Sequence, residues 1–218
     1  ELLRDNLNDF TARNIPARKR RYVTTGGSTG MPFGFFQTAD NNWSEMAFIH
    51  LGWQRAGWRL GDASAVLRGR FSGSEKKFWQ LDPANRQLNL SSYHLSEKTY
   101  GQYLQKLAEH RPPHLQAYPS VVTMLADLVL ENGDAGRIGF QTILLGSENI
   151  YDWQKEKIRM AFPEARIFGW YGLSEQAILA PACERTDQLH AWPFYGLTEV
   201  LADSGRAAAE DGFGELVG

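Results

Sequence analysis

Two spacings of apolar residues alternate along this chain. Tyr22-Val23-Thr24-Thr25 reads as a strand, Gly26-Gly27-Ser28-Thr29-Gly30-Met31-Pro32 as a loop, and Phe33-Gly34-Phe35-Phe36 as a returning strand. From Asp40 the positions Trp43, Met46, Ala47, His50 and Trp53 fall at helical spacing, which predicts a helix with that aromatic face in the core. Ala65-Val66-Leu67 and Leu88-Asn89-Leu90 are short strand candidates. Ser96 is a good cap for a helix whose face is Tyr100, Tyr103, Leu104 and Leu107, stopped by Arg111-Pro112-Pro113. Leu115-Gln116-Ala117-Tyr118 is extended again, and Pro119 opens a helix carrying Val121, Val122, Leu125, Leu128 and Val129 that ends at Asn132-Gly133. Thr142–Leu145 is a buried strand, Trp153–Phe162 a helix and Arg166–Phe168 a strand, with further strands at Glu199–Leu201 and Glu215–Val217. The alternation predicts an α/β fold, a mostly parallel sheet flanked by helices with a β-rich C-terminal portion. The expected boundary divides residues 1–180, the α/β core, from 181–218, the start of a β-rich subdomain.

Composition narrows the function classes. With 23 Lys+Arg against 25 Asp+Glu the net charge is −2, which lacks the electrostatic footprint of a general nucleic-acid binder. No apolar run approaches the roughly 18–20 residues of a membrane helix. The one cysteine, Cys183, excludes an internal disulfide and fits a reducing cytoplasm. The chain begins at Glu1 and stops in Gly214-Glu215-Leu216-Val217-Gly218, which reads as an opening strand, so a piece of a longer protein is expected.

Three segments carry candidate chemistry. In Thr24-Thr25-Gly26-Gly27-Ser28-Thr29-Gly30 the glycines let backbone amides approach a ligand and the hydroxyls add donors, a nest suited to phosphate oxygens. It is not a Walker loop, because no Gly-Lys-Ser/Thr follows, and a plain glycine-rich hairpin is the competing reading. Gly169-Trp170-Tyr171-Gly172-Leu173-Ser174-Glu175 follows a buried strand, where open α/β sheets bind ligands; it offers a stacking ring, a hydroxyl and a carboxylate able to take Mg²⁺. Gly146-Ser147-Glu148 holds the equivalent place after Thr142–Leu145 and by itself reads as a helix-entry turn.

In order and spacing these segments resemble the adenylate-forming superfamily of acyl- and aryl-CoA ligases. Within it the chain looks most like the phenylacetate–CoA ligase branch, including CapK-type proteins associated with capsular polysaccharide synthesis. Thr24–Pro32 is similar to that family's phosphate loop, Leu115-Gln116-Ala117-Tyr118-Pro119-Ser120 to the segment before its substrate-pocket helix, and Tyr171-Gly172-Leu173-Ser174-Glu175 to its Y-G-x-S/T-E motif. Gly146-Ser147-Glu148 matches its adenine-side turn and Gly212–Val217 a later G-x-G-E-L-V strand. The resemblance implies that Thr25, Gly26, Gly27, Ser28, Thr29 and Gly30 hold the β- and γ-phosphates of ATP. Tyr171 and Gly172 would meet the adenine, with Gly146, Ser147 and Glu148 on that side. Ser174 would contact the α-phosphate and Glu175 would ligate Mg²⁺, the two residues expected to be catalytic.

The implied function is ATP-dependent carboxylate activation: an acid–thiol ligase that forms an acyl- or aryl-adenylate and then a thioester with coenzyme A. Transfer to a carrier protein or a polysaccharide precursor, or a degenerate nucleotide-binding module, are the alternatives. Many members carry Lys beside the glycine or proline of the phosphate loop; here those positions are Met31 and Phe33, which removes one cationic contact to pyrophosphate. The chain also stops before the family's ribose-binding Asp and C-terminal lid.

Tyr118 and Trp170 adjoin the motif loops and are the candidates for the small-acid pocket. A hydrolase built on Ser28 or Ser174 is less consistent, since neither sits in a G-x-S-x-G elbow. Cys183 and His190 supply only two of the four ligands zinc wants, so a buried thiol and a surface histidine are expected; His94, His110 and His114 are also expected at the surface.

Overall fold

The computed structural model describes residues 2–25, 32–69, 77–186 and 188–218. The chain divides into two compact units, one formed by Glu1–Ile49, Tyr171–Ala180 and His190–Gly218, the other by His50–Trp170 and Pro181–Leu189. In chain order the elements are α1 (Leu2–Asp5), β1 (Arg20–Thr24), β2 (Gly34–Thr38), α2 (Ala39–Arg55), β3 (Ser64–Leu67), β4 (Trp79–Asp82), β5 (Gln87–Leu90) and α3 (Glu97–His110). They continue with β6 (His114–Ala117), α4 (Pro119–Glu131), β7 (Thr142–Leu145), α5 (Asp152–Ala161), β8 (Arg166–Gly172), β9 (Leu179–Pro181), β10 (Glu199–Leu201) and β11 (Glu215–Val217).

The main sheet has the order β4-β5-β3-β6-β7-β8-β9. β5, β3, β6, β7 and β8 run parallel, and β4 pairs antiparallel with β5. The expected α/β architecture is therefore present. Central strands β6 and β7 are buried along their whole length because both faces of the sheet are covered. One face presents Ala65, Leu67, Leu88, Leu90, Leu115, Ala117, Ile143 and Leu145 to Tyr103, Leu107, Leu125, Val129 and Ile158 of α3, α4 and α5. On the other, the Thr142 hydroxyl donates to the Ala56 carbonyl, and Gly52 of α2 comes close to Phe168 and Pro181.

Local chemistry sets the helix ends. Thr99 Oγ1 accepts the Ser96 N–H at 3.1 Å, and Arg111 closes α3 in the left-handed conformation, its N–H bonded to the Leu107 carbonyl at 2.8 Å. Pro119 occupies the first turn of α4, where its missing N–H costs nothing.

Several expectations need correction. Trp43, at 77% exposure, and Met46 face solvent, so the helical spacing in the first half of α2 marks no core face. His114 is buried, at 1% exposure, because it opens a central strand; its Nε2 meets Asp62 Oδ2 at 3.1 Å. Cys183 is only half-buried. Among the described residues no helix is long and apolar enough to cross a membrane.

The first unit carries two hairpins. β1 pairs with β2 antiparallel in the register Thr24↔Gly34, and β10 pairs with β11. The Tyr22 ring lies across Gly34, where a Cβ would overlap it, and packs edge-on against Phe36 at 5.5 Å.

Candidate active site

In the second unit the paired row Leu67–Ala117–Leu145–Gly169 crosses β3, β6, β7 and β8 at their carboxyl ends. The residues that follow in the chain are Arg68, Tyr118 and Gly146, each just past its strand, and Trp170 within β8. Because side chains alternate across a strand, this second row turns away from the helices that cover Leu67, Ala117 and Leu145. Tyr118 and Trp170, the expected pocket residues, are thus brought together, each half-buried. The Arg68 guanidinium carbon sits 5.6 Å from the Tyr118 ring centre and 5.8 Å from that of Trp170. Arg68 was not among the sequence candidates. Its only signal was its place one step past a predicted strand, the same step taken by the other three.

Gly146 is buried beneath Trp170, and a Cβ there would overlap the indole. Ser147 follows with φ of 69°, a left-handed conformation that a non-glycine residue adopts only under constraint. Glu148 has a structural partner: its Oε2 accepts the Ser120 N–H at 2.8 Å and its Oε1 accepts the Ser120 hydroxyl at 2.9 Å. It therefore caps the start of α4.

Trp53 lies 5.7 Å from Trp170 and 5.3 Å from Trp58, with the rings edge-on, and the His50 ring packs at a tilt against Trp58 at 4.6 Å. Burial holds the His50 imidazole below its ordinary pKa.

The first unit holds the remaining candidates. Thr25 closes the β1–β2 hairpin: its N–H donates to the Phe33 carbonyl at 2.8 Å, and its hydroxyl oxygen accepts the Phe33 N–H at 2.9 Å. Gly26, Gly27, Ser28, Thr29, Gly30 and Met31 lie outside the described residues. Tyr171 is half-buried, whereas Gly172, Ser174 and Glu175 are exposed.

Two amides fix this loop. Gln37 Nε2 donates to the Ser174 carbonyl at 2.6 Å. Gln176, itself left-handed at φ 59°, donates to Glu45 Oε2 at 2.6 Å and Asn42 Oδ1 at 3.0 Å. The Tyr195 hydroxyl donates to the other oxygen of Glu45, and burial, reinforced by that carboxylate, pushes its phenol well above the ordinary value. Gln37, Glu45 and Gln176, all half-buried, were missed from sequence because a lone amide or acid carries no periodic signal.

Between these anchors Glu175 lines a cleft of about 590 Å³ together with Phe33, Phe35 and Thr38. Among the described residues its carboxylate has no hydrogen-bond or ion-pair partner. No cluster of three or more His, Cys, Asp or Glu residues forms there, and His190 is exposed. A lone free carboxylate suits Mg²⁺, which takes one or two protein oxygens and completes its shell from phosphates and water.

The fold is that of the acyl-CoA ligases of the adenylate-forming superfamily. An open 2-hydroxyisobutyryl-CoA ligase, solved with 2-HIB-AMP and CoA, aligns with a TM-score of 0.66 at 18% identity, over 93% of this chain and 48% of that one. VinN aligns with a TM-score of 0.59 at 16% identity, over 97% of this chain and 54% of its own. In sequence the chain is similar to Protein CapK of Staphylococcus aureus, 25% identical over 183 residues that make up 81% of this chain. That alignment takes in 40% of CapK, so the chain spans well under two thirds of the relatives it matches. No family model matches it.

Proposed function

We propose that the chain is the nucleotide- and acid-binding part of an ATP-dependent carboxylate ligase. The observation that carries this reading is the row at the strand ends: the Trp170 indole lies directly over Gly146, and Trp170 runs straight into Tyr171-Gly172-Leu173-Ser174-Glu175. Likeness in fold to ligases solved with an acyl-AMP and CoA supports it.

In the first half-reaction a carboxylate oxygen forms a bond to the α-phosphorus of ATP as the bond from that phosphorus to the bridging oxygen breaks. Pyrophosphate leaves, and no proton changes hands. Such chemistry needs alignment and charge stabilisation more than covalent help. Thr25 and the amides of Gly26 to Gly30 would cradle the β- and γ-phosphates, and Ser174 would donate to the α-phosphate. The Tyr171 face and Gly172 would take the adenine, and the resemblance gives Gly146, Ser147 and Glu148 an adenine contact as well. Glu175 would hold Mg²⁺, which when bound neutralises charge on the departing pyrophosphate. In the second half-reaction a coenzyme A thiolate would attack the acyl carbon and AMP would leave, and residence in the cytoplasm belongs to the same proposal.

A second reading, a nucleotide-binding module without ligase activity, is favoured by Met31 and Phe33 where a lysine is common. One experiment separates them: acid-dependent exchange of pyrophosphate into ATP by the intact protein, alongside calorimetric titration with ATP and Mg²⁺. Exchange establishes the ligase, adenine-selective binding without exchange the module, and neither overturns both. Under either reading Glu175→Gln should abolish the Mg²⁺ dependence of ATP binding. Tyr171→Ala should cost roughly 1–3 kcal/mol of ATP affinity, by analogy with base stacking.

A further inference from the structure

Among the described residues Arg68 is a cation without a counter-charge. Its Nε and Nη2 are shut off from solvent, and among the described residues neither has a hydrogen-bond partner. A guanidinium does not shed its proton in a protein, and an unpaired buried charge is costly. The two rings it faces return only part of that cost through cation–π attraction. Among the described residues the Nε1–H groups of Trp53 and Trp58, in the aromatic set that reaches Trp170, are also buried without an acceptor.

We propose that Arg68 binds a second carboxylate on the substrate, and that the acid activated here is a dicarboxylic acid, one end held by Arg68 between Tyr118 and Trp170. This rests on the ligase reading. The reacting carboxylate is a poor partner for Arg68: pairing would stabilise the ground state, and the pair would vanish when the anhydride forms, raising the barrier. A distal carboxylate keeps its charge through adenylation and thioester formation, so it neutralises the guanidinium at every stage. The planar fork of arginine suits bidentate capture of such a group. Burial pushes the Arg68 pKa down, the direction that a bound anion opposes.

The test compares acids matched in carbon skeleton: butyrate with succinate, hexanoate with adipate, and 2-methylphenylacetate with 2-carboxyphenylacetate. Each is assayed by pyrophosphate exchange and by calorimetric titration without ATP, using the intact protein and its Arg68→Gln and Arg68→Lys variants. The expected result is at least about a ten-fold preference for the dianionic member of one or more pairs. Arg68→Gln should erase that preference, cutting use of the dianionic member at least about ten-fold more than use of its monoacid partner while ATP affinity holds, and Arg68→Lys should retain part of it.

Equal use of both members of every pair by the unmodified protein overturns the inference and leaves the ligase standing. So does a loss of ATP affinity in Arg68→Gln, which would make Arg68 a nucleotide contact. If no acid supports exchange but a dicarboxylate binds and Arg68→Gln abolishes that binding, the anion site stands and the ligase reading falls. Absence of both exchange and dicarboxylate binding overturns the inference. The preference of the unmodified protein is decisive even if a variant fails to fold.

Discussion

At Gly146 a single hydrogen stands where any side chain would run into the Trp170 indole. Gly146→Ala should therefore push the indole out of its seat, at about 1–3 kcal/mol. The change is expected as a lower urea midpoint with an unchanged slope, together with altered tryptophan emission. Two residues on, Glu148 presents a different case. By itself its segment reads from sequence as a helix-entry turn, and the family resemblance alone implies an adenine contact; in the structure both its oxygens are engaged by Ser120. Removing that cap with Glu148→Ala should cost about 0.5–2 kcal/mol. In a double-mutant cycle with Ser120→Ala the losses should fall short of additive, and full additivity would show the pair to be energetically idle.

Among the elements, the parallel strands were the most legible part of the chain. Ala65–Leu67, Leu88–Leu90 and Thr142–Leu145 are short apolar runs because both faces of their sheet are covered, and the structure places β3, β5 and β7 on them within a residue. The edge strand β4 escaped notice because the alternation Trp79-Gln80-Leu81-Asp82 lasts only four residues before Pro83. Arg68 and His114 escaped for a related reason. A lone arginine or histidine looks the same in sequence whether it ends at the surface or at the end of a central strand. Of the site, the Thr25, Gly146 and Tyr171–Glu175 segments were visible as motifs, whereas the anchors Gln37, Glu45 and Gln176 depend on pairings across more than 130 residues.

The Asp62–His114 pair joins the entry of β3 to that of β6, and it gives these elements a pH response. Burial pushes the Asp62 carboxyl up, but the Arg59 N–H and the His114 ring together hold it below its ordinary value of 3.8. A carboxylate depressed in the folded state adds stability that is fully present above the unfolded value and is lost as pH falls through the folded one. Asp62→Asn should thus lower the urea midpoint at pH 7 and make little difference near pH 2. A gap that stays constant across that range would show that the carboxylate charge contributes nothing.

For the molecule as a whole, the distribution of the core between the units decides what folds alone. Every member of the main buried cluster lies between Ala65 and Phe162, in the second unit. A polypeptide of residues 50–189 should therefore retain a cooperative thermal transition and near-ultraviolet dichroism, whereas residues 1–49 alone should show neither. A non-cooperative melt of the 50–189 piece would mean that this cluster does not suffice.

The first unit is stitched from three stretches of sequence, and that arrangement sets a timetable for synthesis. Asn42 and Glu45 meet Gln176 and Tyr195, which lie between 131 and 150 residues later. At about 5–20 residues per second, translation takes from about 7 to about 30 seconds to deliver those partners. The β1–β2 hairpin and the first turns of α2 must spend that interval on the ribosome with their acids and amides unmatched, while most of the main sheet can already close. Slowing or hastening translation between codons 50 and 170 should accordingly alter how much of the first unit is captured by chaperones or cut by proteases, and leave the second untouched.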